Sequence, residues 1–158
     1  MMIFLYLILG CCGYVLYYAM IGLLRKKYSI ICDMDVLCER IIWWGMNNIP
    51  PHTQNNKLKI VLSDTDKKDM ATYYPQLKKV EIFLGHHYDV YELVDSLLHE
   101  ITHYKQYRTN PRKLRKEYLS LLKQYGYRKH PMEVEANKNA KKYSKECLNY
   151  LERNGFIS

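Results

Sequence analysis

One uninterrupted stretch limits how this chain can fold. Between Tyr88 and Thr109 there is no proline or glycine, and apolar residues recur at the spacing of an α-helix. The apolar face consists of Val94, Leu97, Leu98 and Ile101. A different, polar face carries Glu92, Ser96, His99, His103 and Gln106. The pattern predicts a helix that is buried on one side and presents polar side chains on another.

The polar face contains the motif H-E-x-x-H at residues 99–103. Residues four apart lie on the same face of a helix, so His99 and His103 can bind one metal ion together. Glu100 lies about 100° further round the helix, where it can accept a proton. Zinc at such a motif lowers the pKa of a bound water to about 7. The motif therefore predicts one zinc ion with Glu100 as the catalytic base, the alternative being two surface histidines on an amphipathic helix.

A catalytic zinc ion takes three protein ligands, so a third is expected downstream. The segment 131–137, P-M-E-V-E-A-N, offers two glutamates. Glu133 shares a helical face with Ala136 and Ala140, and small residues let two helices approach closely. Glu135 shares its face with Lys142 and is expected to face solvent. Glu133 is the favoured third ligand and Glu135 the second choice, although either could be an acid that interacts with the helix dipole.

Other polar residues are candidates for supporting roles. Asn137, four residues after Glu133, is expected to hydrogen-bond a ligand histidine. A peptidase also needs a donor for the oxyanion that forms during hydrolysis. Tyr127, His130 and Tyr104 are candidates by residue type alone, and the sequence does not choose among them.

The remaining patterns predict an α+β fold. Helices are predicted over about 30–48, 89–109, 110–125 and 132–151, and short strands over 57–62, 71–74 and 79–84. A few strands followed by a run of helices are typical of α+β domains with the sheet on one side.

The first 24 residues differ from the rest of the chain. They contain no charged residue and are long enough to cross a hydrocarbon core of about 30 Å. Basic residues follow at 25–27, which by the positive-inside rule places them on the cytoplasmic side. The sequence predicts an uncleaved transmembrane helix over 1–24, a single-pass location in the membrane and a cytoplasmic soluble part, with the lipid bilayer as a partner.

The charge and cysteine content narrow the function classes. The formal net charge is +8, and basic residues cluster at 112–116 and recur near 138–145. No nucleic-acid-binding motif accompanies them, so no specific nucleic acid is expected, and a solvated face or attraction to anionic lipid explains the charge. Five cysteines without C-x-x-C spacing indicate free thiols in a reducing compartment.

The motif at 99–103 followed by Glu133, Ala136 and Asn137 resembles the gluzincin branch of zinc metallopeptidases. More narrowly, it is similar to the small bacterial and phage domains related to ImmA/IrrE-type peptidases. The resemblance covers about 58–150 and implies that an E-x-x-A-N element supplies the glutamate ligand, Glu133. It also implies a minimal zincin fold in which an edge strand at 79–84 guides an extended protein or peptide substrate.

These observations predict three regions: a transmembrane anchor over 1–24, a juxtamembrane basic segment and helix over 25–57, and a zincin-like metallopeptidase domain over 58–158. The favoured function is a membrane-anchored zinc endopeptidase that hydrolyses peptide bonds, with Glu100 as general base. A non-catalytic, membrane-tethered zincin-like binding or scaffold protein is the alternative. A basic protein that binds lipid or nucleic acid, with an accidental motif, is the third possibility.

Overall fold

A computed structural model describes residues 27–51, 58–63, 70–84, 89–109 and 111–158. These residues form an α+β fold of four α-helices, one 3₁₀ turn and a three-stranded sheet. The elements follow one another as α1 (Met34–Asn48), β1 (Lys59–Ser63), β2 (Ala71–Tyr74), β3 (Lys79–Phe83), α2 (Val90–Thr109), α3 (Pro111–Tyr125), the 3₁₀ turn (Tyr127–Lys129) and α4 (Pro131–Arg153).

Helix α2 is the central element of the core. Its predicted apolar face is fully buried, with Leu97, Leu98 and Ile101 at zero exposure. It packs most extensively on α4 and also contacts α1 and β2. Helix α1 contributes Leu37 and Ile41 to the same hydrophobic cluster, so the segment before the sheet shares the core of the segment after it.

The sheet has the order β1-β3-β2. Strand β3 pairs in parallel with β1, where Ile60 lies opposite Val80, and antiparallel with β2, where Thr72 lies opposite Glu81. The prediction that 79–84 forms an edge strand is therefore wrong, because β3 is hydrogen-bonded to a neighbouring strand on both sides and is the central strand. Strand β2 is the edge that borders α2.

The structure does not support the predictions of a membrane-spanning helix and of a single-pass location in the membrane. Within the ranges described above, no helix combines the length and the apolar character needed to cross a bilayer. The physical reason is charge: α2 and α4 are the longest helices, and both carry acidic and basic residues along their length. The segment 1–24, on which that prediction rested, lies outside the described residues.

Helix α3 is bound to the rest of the fold more loosely than the others. None of its side chains whose burial is described is buried. Its main contacts are with α2 and with the 3₁₀ turn. The Tyr118 ring contacts that of His130, and the rest of the described apolar face of α3 is left available beside the site described next.

Candidate metal centre

The two histidines of the motif lie on the side of α2 that faces away from the core. Asp89 caps this helix, since its Oδ1 accepts a hydrogen bond from the backbone N–H of Glu92 at 2.8 Å. With the apolar face fixed in the core, His99 and His103 project together into a cavity. Their Nε2 atoms are 3.0 Å apart.

The third group comes from the first turn of α4. Pro131 begins this helix, and His130 caps it by accepting a hydrogen bond at Nδ1 from the N–H of Met132 at 3.2 Å. The carboxylate of Glu133, only 6 % exposed, reaches both histidines. Its oxygens lie 3.4 Å from Nε2 of His99 and 3.3 Å from Nε2 of His103.

His99, His103 and Glu133 could therefore hold a metal ion between them. Each residue offers one ligand atom, and these atoms all lie within 4.8 Å of one another. Two imidazole nitrogens and one carboxylate oxygen are ligands that transition metals accept. The structure thus brings together the two histidines of the motif and the favoured glutamate.

Gln106 supports this centre, a role that the sequence reasoning did not assign. Its amide oxygen lies 2.9 Å from Nδ1 of His103. Its amide nitrogen donates to the carbonyl oxygen of Met132 at 3.1 Å and to the carboxylate of Glu135 at 2.9 Å. Two acceptors at the nitrogen fix the orientation of the amide, so its oxygen must accept from Nδ1–H of His103. The Nε2 lone pair of His103 is then directed toward Glu133 and His99.

The sequence did contain a signal for this role of Gln106. It lies three residues after His103, and side chains three apart are neighbours on a helix surface. What the sequence could not show is that Glu135 and the Met132 carbonyl meet the same amide from another helix.

Glu135 is exposed, as its helical face predicted, whereas Asn137 does not make the hydrogen bond expected of it among the described residues. Glu135 accepts a hydrogen bond from Gln106, whereas the group that could hold a metal ion, called the metal-ligand group below, consists of His99, His103 and Glu133. The side chain of Asn137 is exposed and lines the cavity. Among the hydrogen bonds of the described residues, none joins Asn137 to either histidine.

Glu100 lies beside the three converging groups and is held in place by the sheet. Glu100 is 9 % exposed, and its Oε2 accepts a hydrogen bond from the backbone N–H of Tyr73 in β2 at 2.8 Å. Burial raises the pKa of Glu100 above its ordinary value, although the nearby histidines and the Tyr73 N–H act in the opposite direction. A partly desolvated carboxylate in a fixed position is suited to accept a proton.

The charges of the centre are strongly coupled. Burial by itself would raise the pKa of Glu133, but the hydrogen bonds and charges of His103 and His99 outweigh it and hold that pKa well below its usual range. For His103, burial lowers the pKa, and the contacts with Glu133 and Glu100 more than compensate and raise it. Glu133 is therefore an anion that attracts a positive charge, either protons on the histidines or a metal ion.

A cavity of about 770 Å³ opens over these groups. Residues from β2, α2, α3, the 3₁₀ turn and α4 line it. Tyr127, in the 3₁₀ turn, lies at its wall, and burial together with contact with Glu133 raises the pKa of its hydroxyl to about 12. That hydroxyl is protonated at neutral pH and can donate a hydrogen bond.

The other two candidates for stabilising an oxyanion are not at the cavity wall. Tyr104 and His130 are fully buried and do not line the cavity. The hydroxyl of Tyr104 and Nε2 of His130 have no hydrogen-bond partner among the described residues. Of the three candidates, only Tyr127 borders the space that a substrate could enter.

Comparison with known proteins found no relative of this chain. No protein-family model, no curated protein and no solved structure matches the chain. The resemblance to gluzincins therefore depends on the residues at 99–103 and 133–137 alone.

Proposed function

We propose that this protein is a zinc metallopeptidase of the gluzincin type that hydrolyses peptide bonds within an extended polypeptide. The observation that carries the proposal is the position of Glu100. It lies beside His99, His103 and Glu133, at the same cavity, and is held there by the edge strand β2. A structural zinc site is usually closed by four protein ligands and has no use for an adjacent base.

The spacing of the ligand atoms supports zinc. Zinc bonds of about 2.0–2.2 Å to tetrahedral ligands would separate neighbouring ligand atoms by about 3.3–3.6 Å. The two Nε2 atoms are 3.0 Å apart, Nε2 of His103 lies 3.3 Å from one oxygen of Glu133, and Nε2 of His99 lies 3.4 Å from the other oxygen, so the three groups are close enough to share one ion. His99, His103 and Glu133 would hold the ion, and Gln106 would fix His103 in the tautomer that leaves Nε2 free to bind.

Zinc bound there would act as a Lewis acid that polarises the substrate carbonyl and acidifies the attacking water. Glu100 would take the proton from that water and deliver it to the nitrogen of the leaving amine. The Tyr127 hydroxyl would donate a hydrogen bond to the oxyanion that develops on the former carbonyl. General acid–base catalysis of this kind typically contributes about 10²–10⁴-fold to the rate.

The edge strand β2 would hold the substrate. In its antiparallel pairing, the carbonyl of Met70 accepts from the N–H of Phe83, so the main-chain groups of Ala71 and Tyr73 point away from β3. The N–H of Tyr73 indeed reaches Glu100 on that side. An extended peptide can add to such an edge by main-chain hydrogen bonds.

The test uses the purified full-length chain, its Glu100→Gln variant and its His103→Ala variant. Zinc content is measured by elemental analysis, and hydrolysis is followed by mass spectrometry on a mixture of unstructured peptides. We expect about one zinc per chain in the wild type and in Glu100→Gln, little in His103→Ala, and hydrolysis by the wild type only. A folded wild type without zinc would refute the metallopeptidase. Zinc without hydrolysis by the wild type would favour a non-catalytic zincin-like binding protein.

A further inference from the structure

The cavity has two chemically different ends. At the end near the start of α2, the polar side chains of Asp95, Ser96 and Asn137 line it, beside the thioether of Met70. At the other end, large apolar and aromatic side chains line it: Tyr107, Leu114, Tyr118 and Leu119. His99, His103 and Glu133 lie between the two ends, so a bound chain would meet different surfaces on either side of the centre.

Most of the apolar end is supplied by α3. Leu114 and Tyr118 are four residues apart on one face of this helix, and Leu119 adjoins them. Leu119 is 65 % exposed, although leucine is a residue that is usually buried. The basic residues Arg112 and Lys116 of the same helix are exposed and do not line the cavity. The apolar wall thus opens into the cavity that holds the metal-ligand group.

The direction of β2 relates these ends to a bound peptide. At one end of the strand, the Oγ of Ser96 lies 3.5 Å from Sδ of Met70. Further along, the N–H of Tyr73 meets Glu100 and the Tyr73 ring contacts that of Tyr107. Strand β2 therefore runs from the polar end of the cavity toward the apolar end.

A peptide that adds to β2 in the antiparallel direction, which is the more stable pairing, runs the opposite way. Its N-terminal part then lies at the apolar end beside α3, and its C-terminal part lies at the polar end beside Ser96. The bond next to the metal-ligand group would have the α3 wall on its amino-terminal side.

We propose that the apolar wall of α3 is a specificity site for a large apolar side chain, such as leucine, methionine or phenylalanine, on the amino-terminal side of the cleaved bond. This inference rests on the proposed peptidase function. The occupant is an extended polypeptide because the wall is continuous with the edge strand β2, where the main-chain groups of Ala71 point away from β3, and with Glu100. A purely apolar ligand would leave those polar groups unused.

The test measures cleavage positions in short unstructured peptides whose central residues are randomised, using mass spectrometry. The wild type is compared with Leu119→Ser, which removes an exposed side chain and should not disturb folding, and with Lys116→Ser, an exposed control on the same helix. We expect large apolar residues to be enriched just before the cleaved bond. Leu119→Ser should reduce that selectivity by roughly 10-fold, since a few methylene groups in an apolar site give discrimination of this size. Lys116→Ser should leave it unchanged.

The affinity of the same peptides for the Glu100→Gln variant tests the apolar site independently of catalysis. Peptides with leucine should bind this variant more tightly than matched peptides with serine, and adding Leu119→Ser should abolish the difference even if no peptide is ever hydrolysed. Cleavage or binding without apolar preference would overturn the inference while leaving the peptidase intact, and enrichment only after the cleaved bond would overturn the assigned direction. Self-association of the wild type that Leu119→Ser abolishes would assign the wall to a second copy of the chain instead.

Discussion

Gln106 donates a hydrogen bond from its amide nitrogen to the carboxylate of Glu135, over 2.9 Å. Through this contact, a residue at the surface of α4 acts together with the Met132 carbonyl to fix which way the Gln106 amide faces. The amide in turn holds Nδ1 of His103 at 2.9 Å. Glu135 thus influences His103 only through Gln106, whereas Glu133 contacts both histidines directly.

The two glutamates should respond differently to replacement by alanine. Glu133→Ala removes a ligand oxygen and leaves two histidines, so zinc affinity should fall by well over about 100-fold. Glu135→Ala removes only one of the two acceptors that hold Gln106, so its effect should be smaller than the loss of about 10–100-fold that is typical when a ligand loses a direct partner. Competition with a chromophoric chelator measures both, with the exposed Glu146→Ala on the same helix as a control. A greater loss in Glu135→Ala than in Glu133→Ala would exchange their assigned roles.

Gln106→Ala should weaken zinc binding by about 10–100-fold, because His103 loses the partner that fixes its tautomer. Nitrogen NMR of the metal-free protein reports the tautomer directly: Nδ1 of His103 should be protonated in the wild type and a mixture of tautomers should be present in the variant. A purely structural role for Gln106 would leave the tautomer unchanged.

A paired exchange provides a second check on Gln106. Gln106→Glu alone places a carboxylate against Glu135, and the two negative charges should repel each other. Adding Glu135→Gln lets the amide of residue 135 donate to the carboxylate of residue 106, and should recover part of the zinc affinity; the hydrogen bond to the Met132 carbonyl stays lost. A double variant no better than Gln106→Glu would show that the hydrogen bond between the two residues does not matter.

The local patterns of the sequence were enough to predict that His99, His103 and Glu133 lie close together, as they do in a group that could hold a metal ion. The apolar face of α2 fixes which side of that helix is buried, and the rotation of His99 and His103 follows from it. The small residues beside Glu133 likewise indicated which face of α4 approaches another helix, and Ala136 and Ala140 are indeed buried. These inferences depend only on helical geometry, which is the same in any fold.

Long-range pairing could not be read from the same patterns. The alternation in 79–84 predicts a strand with one buried face, but it does not say whether that strand lies in the middle of a sheet or at its edge. The burial of Lys105 also depends on long-range contacts that the sequence pattern does not show. It lies four residues after Ile101, on the apolar face of α2, and it is buried because carbonyl groups more than fifty residues earlier in the chain accept its hydrogen bonds.

The close approach of α1 to α2 depends on Gly45. A Cβ atom at this position would lie 2.7 Å from Cδ1 of Ile101 and 2.9 Å from Cδ2 of Leu98. Gly45→Ala gains about 1 kcal/mol of helix propensity, but forcing a methyl group into a packed core typically costs about 1–3 kcal/mol. We expect a net loss of stability on the order of 1 kcal/mol in urea unfolding. Adding Ile101→Val, which removes the closest methyl group, should reverse much of it, and a double variant with strictly additive losses would contradict this packing.

Lys105 should make stability depend on pH in the alkaline range. The residue is 1 % exposed, and its ammonium group donates to the carbonyl oxygens of Met46, at 2.9 Å, and of Ile49 at the end of α1. Burial lowers the pKa of Lys105 from 10.5 to about 8. Above pH 8 the folded chain has released this proton while the unfolded chain still binds it, so the free energy of unfolding rises with pH up to about 10.5. The neutral amine keeps two N–H groups for its two carbonyl acceptors, so deprotonation does not break these contacts.

Replacing this lysine by methionine isolates its contribution. Lys105→Met fills a similar volume without the charge, so the difference in unfolding free energy between the wild type and the variant should grow in favour of the wild type between pH 8 and 10.5. Below pH 8 the difference should be constant, because Lys105 is protonated in both states. Urea unfolding across this range measures it, and Lys141→Met, at an exposed position of α4, should show no such trend. A difference that stays flat through the window would mean that Lys105 keeps its proton in the folded chain, bound as an ammonium cap on the carbonyl groups at the end of α1.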